Sequence, residues 1–308
     1  MMRFVFILLL LLPLSLSAGE PNGITASSYL LVEKDTFQVI AGRDYHKKLA
    51  PASTTKVMTT LLAIDKLEGN ETIVPDKQVL KIPRSKMNLV PGKHYNSLDL
   101  MKGAMVESAN DAAYALATYI GGTEENFAVM MNERASELGA IDTHFINASG
   151  LPANGQYTTC YDLALIFKQA LSSNRFTDLI SIKYFLFQDS YKHVQYKNHN
   201  RLLFCFEPTI GGKTGYTRAS KHSYVGAFEK NGKVYILTLL GSRNLWGDSV
   251  EILKNLYAQV PTDEELRLAK ACSASLASYH VKRKAKPTAK KKVKKTSKTK
   301  KITKTNET

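Results

Sequence analysis

SYVGAFE at 223–229, KNG at 230–232 and KVYILTLL at 233–240 stand in direct succession. Two runs rich in β-branched and aromatic residues around a Lys-Asn-Gly turn read as a β-hairpin, so the sheet they belong to is antiparallel. Upstream, 183–187 and 212–217 read as further strands. Residues 28–33 and 36–41 alternate around Lys34-Asp35 as an opening hairpin. Between these stretches the period becomes helical: 53–67 places Val57, Leu61, Leu62 and Ile64 on one broad face, and 98–107, 111–120, 124–138 and 161–170 follow. A last helix over 248–260 carries Val250, Leu253, Leu256 and Tyr257. The order of strands, helices, strands and helix predicts an α+β fold, an antiparallel sheet with a separate helical lobe and a cleft between them.

The 308 residues predict one large domain or two small ones, with ample material for a core. Arg3 precedes an apolar run from Phe4 to Leu16 and then Ser17-Ala18-Gly19, which reads as a secretory signal over 1–18. The run is shorter than the roughly 20 residues that span a bilayer. Net charge is +15, yet thirteen Lys or Arg and one acid fall within 281–308, leaving +3 for residues 1–280. The expected organisation is a signal at 1–18, a catalytic domain at 19–260, a short helical linker at 261–280 and a disordered Lys-rich tail at 281–308. In the linker, Thr262 with Glu265 reads as a capping box, and Leu268, Cys272, Leu276 and Tyr279 fall on one side. Cys160, Cys205 and Cys272 are odd in number and widely spaced, with no metal-type spacing among them or the seven histidines. No metal or cofactor is expected.

Three short motifs carry the chemistry: Ser53-Thr54-Thr55-Lys56, Ser108-Ala109-Asn110 and Lys213-Thr214-Gly215. Ser53 opens a helix, and Lys56 three residues on shares its face. A lysine can take a serine proton only when neutral, and burial together with a second cation would push it below its usual value near about 10.4. Lys213 across the cleft would be that cation. Ser108 would relay the proton to a leaving amine while Asn110 orients Lys56 and the substrate amide. Lys213 and Thr214 would bind a terminal carboxylate on a strand edge where Gly215 permits close approach of an extended peptide. Alone, each motif has an ordinary explanation: a capping serine, a small polar loop, a lysine-capped strand. Together and in this order they point to an acyl-enzyme. With Asp in place of Ala109, the set is the one established for class A β-lactamases and penicillin-binding proteins.

From about residue 24 to 260 the chain resembles the low-molecular-mass penicillin-binding proteins, the serine D-alanyl-D-alanine carboxypeptidases of peptidase family S11. The resemblance rests on Leu49-Ala50-Pro51-Ala52 leading into the first motif, Asp111-Ala112-Ala113 after the second, Thr143-His144-Phe145 with Asn147, Gly150-Leu151-Pro152, and Asn198-His199-Asn200-Arg201 leading to Gly211-Gly212 and the third. It implies a β-lactamase/D,D-peptidase-like fold with five antiparallel strands, and a penicillin-sensitive reaction in which Ser53 attacks the penultimate D-Ala of a peptidoglycan stem peptide. It further implies an oxyanion hole at the backbone N–H groups of Ser53 and Tyr216, a structural rather than catalytic His144, and β-lactams as inhibitors.

Two departures stand out. Ser220-Lys221 occupies the place of the family's usual Ala-Gly, bringing charge near the active-site strand. A β-rich second domain and an amphipathic anchor, common in the family, have no counterpart in 261–308. The basic tail suits peripheral attachment to anionic lipid or contact with acidic envelope polymers; nucleic acid fits the charge, but export puts it in the wrong compartment. The expected place of action is therefore the periplasm or the outer face of the cytoplasmic membrane. Alternative readings are a D,D-endopeptidase using the same residues and a catalytically weak peptidoglycan-binding module tethered by the tail. No glutamate loop suited to β-lactamase deacylation is evident.

Overall fold

The computed structural model describes residues 23–189 and 193–271. The expected signal, Cys272, Leu276, Tyr279 and the Lys-rich tail lie outside the described residues. In chain order the elements are β1 (Ser28–Glu33), β2 (Val39–Arg43), α1 (Lys56–Lys66), β3 (Thr72–Ile73), β4 (Tyr95–Asn96), α2 (Ser97–Lys102), α3 (Asn110–Gly121), α4 (Glu124–Glu137), α5 (Cys160–Ala170) and α6 (Asn174–Ser181). They continue with β5 (Tyr184–Gln188), β6 (His193–Lys197), α7 (Leu202–Cys205), β7 (Thr209–Thr217), β8 (Lys221–Lys230), β9 (Lys233–Ser242), α8 (Leu245–Leu253) and α9 (Asp263–Ala271).

Five strands form one antiparallel sheet in the order β2-β1-β9-β8-β7. The β8–β9 hairpin closes Lys230 onto Lys233, with Asn231 and Gly232 at φ of 52° and 75°, the left-handed pair a two-residue turn demands. Strand alternation sends Val32, Val225, Ala227, Ile236 and Leu240 to a core shared with the central helices. Tyr29, Leu31, Tyr224, Phe228, Leu237 and Leu239 go to a second core with Leu202, Leu253 and Leu266. A sheet covered on both faces explains why its strands read as nearly continuous apolar runs. Helix α1 is the hub of the helical side, buried from Lys56 through Ala63. β7 ends the sheet as an edge strand.

The structure departs from the sequence expectations at five places. β2 begins at Val39 rather than 36, because Glu33 wraps the turn: its carboxylate accepts the Thr36 hydroxyl and the Asp35 and Thr36 N–H groups (3.1 and 2.7 Å), while Phe37 turns to φ 57°. The Thr36 bonds hold that carboxyl at about 2, below its ordinary range. The helix expected over 98–107 stops at Lys102, and the chain widens into a single π-type turn, Gly103–Glu107. Gly103 to Val106 stay buried, so the apolar pattern runs through the break unchanged.

The strand expected at 183–187 is real as β5, but it pairs only with β6 in a separate hairpin. Its Phe187 stacks on Tyr95 (6.2 Å), and its Phe185 meets Tyr196 of β6 across the hairpin (6.1 Å). The helix expected at 248–260 is Leu245–Leu253. Asp248 does not cap it; its carboxylate ties the Thr25 N–H and hydroxyl (both 2.8 Å) to the Ser242 hydroxyl (2.6 Å). In α9 the Thr262–Glu265 capping box forms, with bonds of 2.8 and 3.3 Å. Its buried face is Leu266 and Ala269, however, while Leu268 is 49% exposed.

Candidate active site

Ser53 lies in a short 3₁₀ turn, Ala52–Thr55, that runs straight into α1. No side chain caps either element, so the Ser53 hydroxyl is not spent on helix capping. One turn later Lys56 Nζ lies 3.0 Å from Ser53 Oγ, 2.7 Å from Asn110 Oδ1 and 2.7 Å from the Ser149 carbonyl oxygen. The Asn110 amide is held in that orientation because its Nδ2 donates to the Pro83 and Arg84 carbonyls (3.1 and 2.9 Å). Two obligate acceptors can take both protons of a neutral amine, leaving its lone pair for the Ser53 hydroxyl. Full burial, followed by the charge of Lys213, holds Lys56 well below the usual lysine value. This setting is the one a general base requires: a neutral amine beside the hydroxyl it would deprotonate.

Ser108 ends the π-type turn in the left-handed region, at φ 63°. That bend separates it from the helix and turns its hydroxyl to Lys213, whose Nζ donates to Ser108 Oγ at 2.9 Å and to the Thr214 carbonyl at 2.8 Å. Burial pushes Lys213 down to about 7. The Ser108 oxygen therefore accepts from Lys213 while its own proton stays available. Next to Asn110, the buried Asp111 accepts the Met87 and Leu89 N–H groups (2.9 and 3.0 Å), fixing the chain that follows Arg84 and Ser85.

β7 brings Lys213, Thr214, Gly215 and Tyr216 along its free edge, and Tyr216 is 58% exposed. A Cβ on Gly215 would stand 2.7 Å from the Ser53 nitrogen and 2.9 Å from Ala52 Cβ. The strand thus passes so close to the nucleophile's turn that only glycine fits. Gly215→Val should force the two apart and spoil the N–H alignment, lowering acylation by about 100-fold or more, the scale of a lost oxyanion donor. Stopped-flow acylation by a fluorescent penicillin measures it.

Ser53, Ser108, Asn110, Thr214, Gly215 and Tyr216 face one cleft of 640 Å³, with Lys56 and Lys213 buried behind them. All eight residues expected from the sequence are thus gathered in one place. Lys221 is not among the cleft residues; it takes φ 58° at the β7–β8 turn, a conformation suited to the glycine it replaces, and His222 reaches the cleft instead. His144 stays outside, its Nδ1 2.9 Å from the Gly155 carbonyl.

Sequence reasoning assigned no role to the loop that holds Lys56 from the third side. Asn147 Oδ1 accepts the Gly150 and Leu151 N–H groups (2.8 and 3.1 Å), shaping the turn that presents the Ser149 carbonyl. Gly150, at φ 78°, abuts the Ala52 carbonyl so closely that a Cβ there would overlap it. The Asn-x-x-Gly spacing was the available signal, since Asn nucleates such turns. Glu124 secures the same loop through the Ala148 N–H at 3.0 Å.

An antiparallel sheet whose edge strand flanks a serine hydrogen-bonded to a buried lysine is the architecture of a serine acyl-transfer enzyme. The profile of the D-alanyl-D-alanine carboxypeptidase family matches residues 15–244. The D-alanyl-D-alanine carboxypeptidase DacB2 of Mycobacterium tuberculosis is 34% identical over 226 residues, 73% of this chain and 77% of that protein. DacF of Bacillus subtilis is 32% identical over 75% of this chain, which spans only 61% of DacF. Among solved structures, a Mycobacterium tuberculosis D-alanyl-D-alanine carboxypeptidase superposes with TM-score 0.72 at 30% identity, covering 79% of this chain and 97% of that one. A variant of the Streptomyces K15 DD-transpeptidase gives 0.71 at 26% identity, covering 75% and 97%. The chain belongs to the D-alanyl-D-alanine carboxypeptidase family of serine peptidases.

Proposed function

We propose that the protein removes the terminal D-Ala from peptidoglycan stem pentapeptides through an acyl-enzyme on Ser53. The observation that carries this reading is the setting of Lys56, with two acceptors for its protons and Ser53 Oγ at 3.0 Å. The substrate lies along the β7 edge with its terminal carboxylate at Lys213 and Thr214. Ser53 Oγ attacks the carbonyl carbon of the penultimate D-Ala and its proton passes to Lys56. The N–H groups of Ser53 and Tyr216 hold the oxyanion. As the C–N bond breaks, Ser108 gives its proton to the departing D-Ala amine and is reprotonated from Lys56. Water, deprotonated by Lys56, then cleaves the ester, and the proton returns to Ser53 Oγ. β-Lactams enter by the same first step and leave Ser53 acylated.

In the same reading the protein is exported by residues 1–18 and works in the periplasm or on the outer face of the cytoplasmic membrane, with 281–308 giving peripheral contact with anionic lipid or acidic polymer. Among the described residues no helix is long and apolar enough to cross a membrane. D-Ala release by the purified protein from a peptide ending in D-Ala-D-Ala is the test; no release, with penicillin also failing to bind covalently, would overturn the proposal.

The two buried lysines give the reaction a two-sided pH profile. Lys56 must be neutral, so acylation should fall as the pH drops through its depressed value. Lys213 must be charged to hold a carboxylate, so KM should rise as the pH passes about 7. Steady-state kinetics across pH separate the limbs; a rate climbing through the alkaline range of an ordinary lysine would contradict this assignment.

A further inference from the structure

One carboxylate outside the cleft is bonded to the loop that holds Lys56. Glu124 opens α4, where an acid in the first turn is ordinary because the helix dipole favours negative charge there. Its neighbour Glu125 follows that pattern and stands exposed. Glu124 differs: it is partly buried, and its Oε1 accepts the Ala148 N–H at 3.0 Å. On the other side of the same residue, the Thr59 hydroxyl, one turn beyond Lys56 on α1, donates to the Ala148 carbonyl at 2.6 Å. The next carbonyl along the chain, that of Ser149, accepts Lys56 Nζ at 2.7 Å. The loop is thus gripped immediately before the atom that orients the amine. Thr59, Asn147 and Gln156, which hold the same loop, are uncharged; Glu124 adds a carboxylate.

That charge is felt at Lys56. Burial and then Lys213 drive the proton off the amine, while Asp111 and Glu124 act in the opposite sense. Asp111 has its carboxylate committed to the Met87, Leu89 and Ala112 N–H groups. Burial raises the Glu124 carboxyl above its ordinary value, against the Ala148 N–H and the Lys56 charge, which lower it. The titratable groups around Glu124 are Lys56 on α1, Tyr114 on α3 and Glu125 on its own helix. Glu124 is not among the cleft residues, so its influence on the reaction passes through Lys56.

We propose that Glu124 is a positioning residue for acylation: its carboxylate fixes the Ser149 carbonyl against Lys56 and supplies a negative charge that partly balances Lys213. This rests on Lys56 acting as the base toward Ser53 and names what sets that base. Glu124 therefore contributes twice, once through a hydrogen bond to the loop and once through its charge.

Two substitutions in the full chain separate these contributions. Glu124→Gln keeps an oxygen for the Ala148 N–H and removes the charge; Glu124→Ala removes both. Stopped-flow acylation by a saturating fluorescent penicillin, followed across pH, reads the chemical step apart from binding. Without the charge Lys56 loses its proton more readily, so in Glu124→Gln the acid limb should move to lower pH by about half a unit or more. Its plateau rate should stay within about threefold of the unaltered protein's. Glu124→Ala should move the limb likewise and also lose about tenfold or more of the plateau rate as the loop loosens. Affinity for the penicillin should hold in both. A merely structural residue would lower the plateau and leave the limb where it stands. An acid limb unmoved in Glu124→Gln, or an undiminished plateau in Glu124→Ala, overturns the proposal; if Glu124→Ala does not fold, the limb in Glu124→Gln decides alone. No acylation of the unaltered protein removes the base reading itself, and the role of Glu124 falls with it.

Discussion

Ser53→Ala is expected to abolish covalent labelling by penicillin and to reduce D-Ala release by about 10⁴-fold or more, the scale on which serine peptidases lose activity without their nucleophile. The effect should be confined to chemistry. Ser53 Oγ contributes one hydrogen bond, to Lys56, and caps no helix. Circular dichroism and the melting temperature should therefore stay close to those of the unaltered protein. The peptide should still bind, because Lys213, Thr214 and the β7 edge are untouched, and equilibrium binding with a non-hydrolysed D-Ala-D-Ala ligand would show it. Retained turnover in this variant would place the nucleophile elsewhere.

Lys56→Met is expected to lower acylation by about 10³-fold or more, towards the upper end of what a general base contributes. Ser53 remains, so labelling by penicillin should go slowly to completion instead of vanishing, which separates the base from the nucleophile. Stability should move little, because two effects oppose. Methionine leaves Asn110 Oδ1 and the Ser149 carbonyl without their donor, at about 1–3 kcal/mol each. It also removes a buried amine whose charged form burial disfavours. The expected shift in melting temperature is within about 5 °C. A variant that acylates at the unaltered rate would mean that Lys56 only supports the fold.

The residues proposed as nucleophile, base, relay and anion binder were legible as a group because each such role needs a particular side chain at a fixed spacing, and the structure brings them together. The sheet's antiparallel character was legible from Asn231-Gly232, a dipeptide suited to the positive φ of a tight turn. Other parts had no such signature. The third partner of Lys56 is the Ser149 carbonyl, and a backbone carbonyl looks the same at every residue. The break before Ser108 was hidden because Gly103 to Val106 remain buried through it. β5 was read as a strand, but its partner is the following β6, where Phe185 faces Tyr196, and its place is set by Phe187 stacking on the remote Tyr95 ring. The linker's helix start was visible in Thr262 and Glu265, yet its place depends on Leu266 packing with Leu202 and Phe206 and on the burial of Ala269. Local pattern announces an element; tertiary packing decides where it goes.

The most direct test of the central claim is mass spectrometry of the protein after brief incubation with a β-lactam, followed by trypsin digestion. Cleavage after Lys48 and Lys56 releases residues 49–56, with Ser53 as its one serine. The account predicts one equivalent of β-lactam, carried by that peptide with fragmentation placing the added mass on Ser53. An adduct on any other residue, or D-Ala release by a protein that forms none, would contradict it.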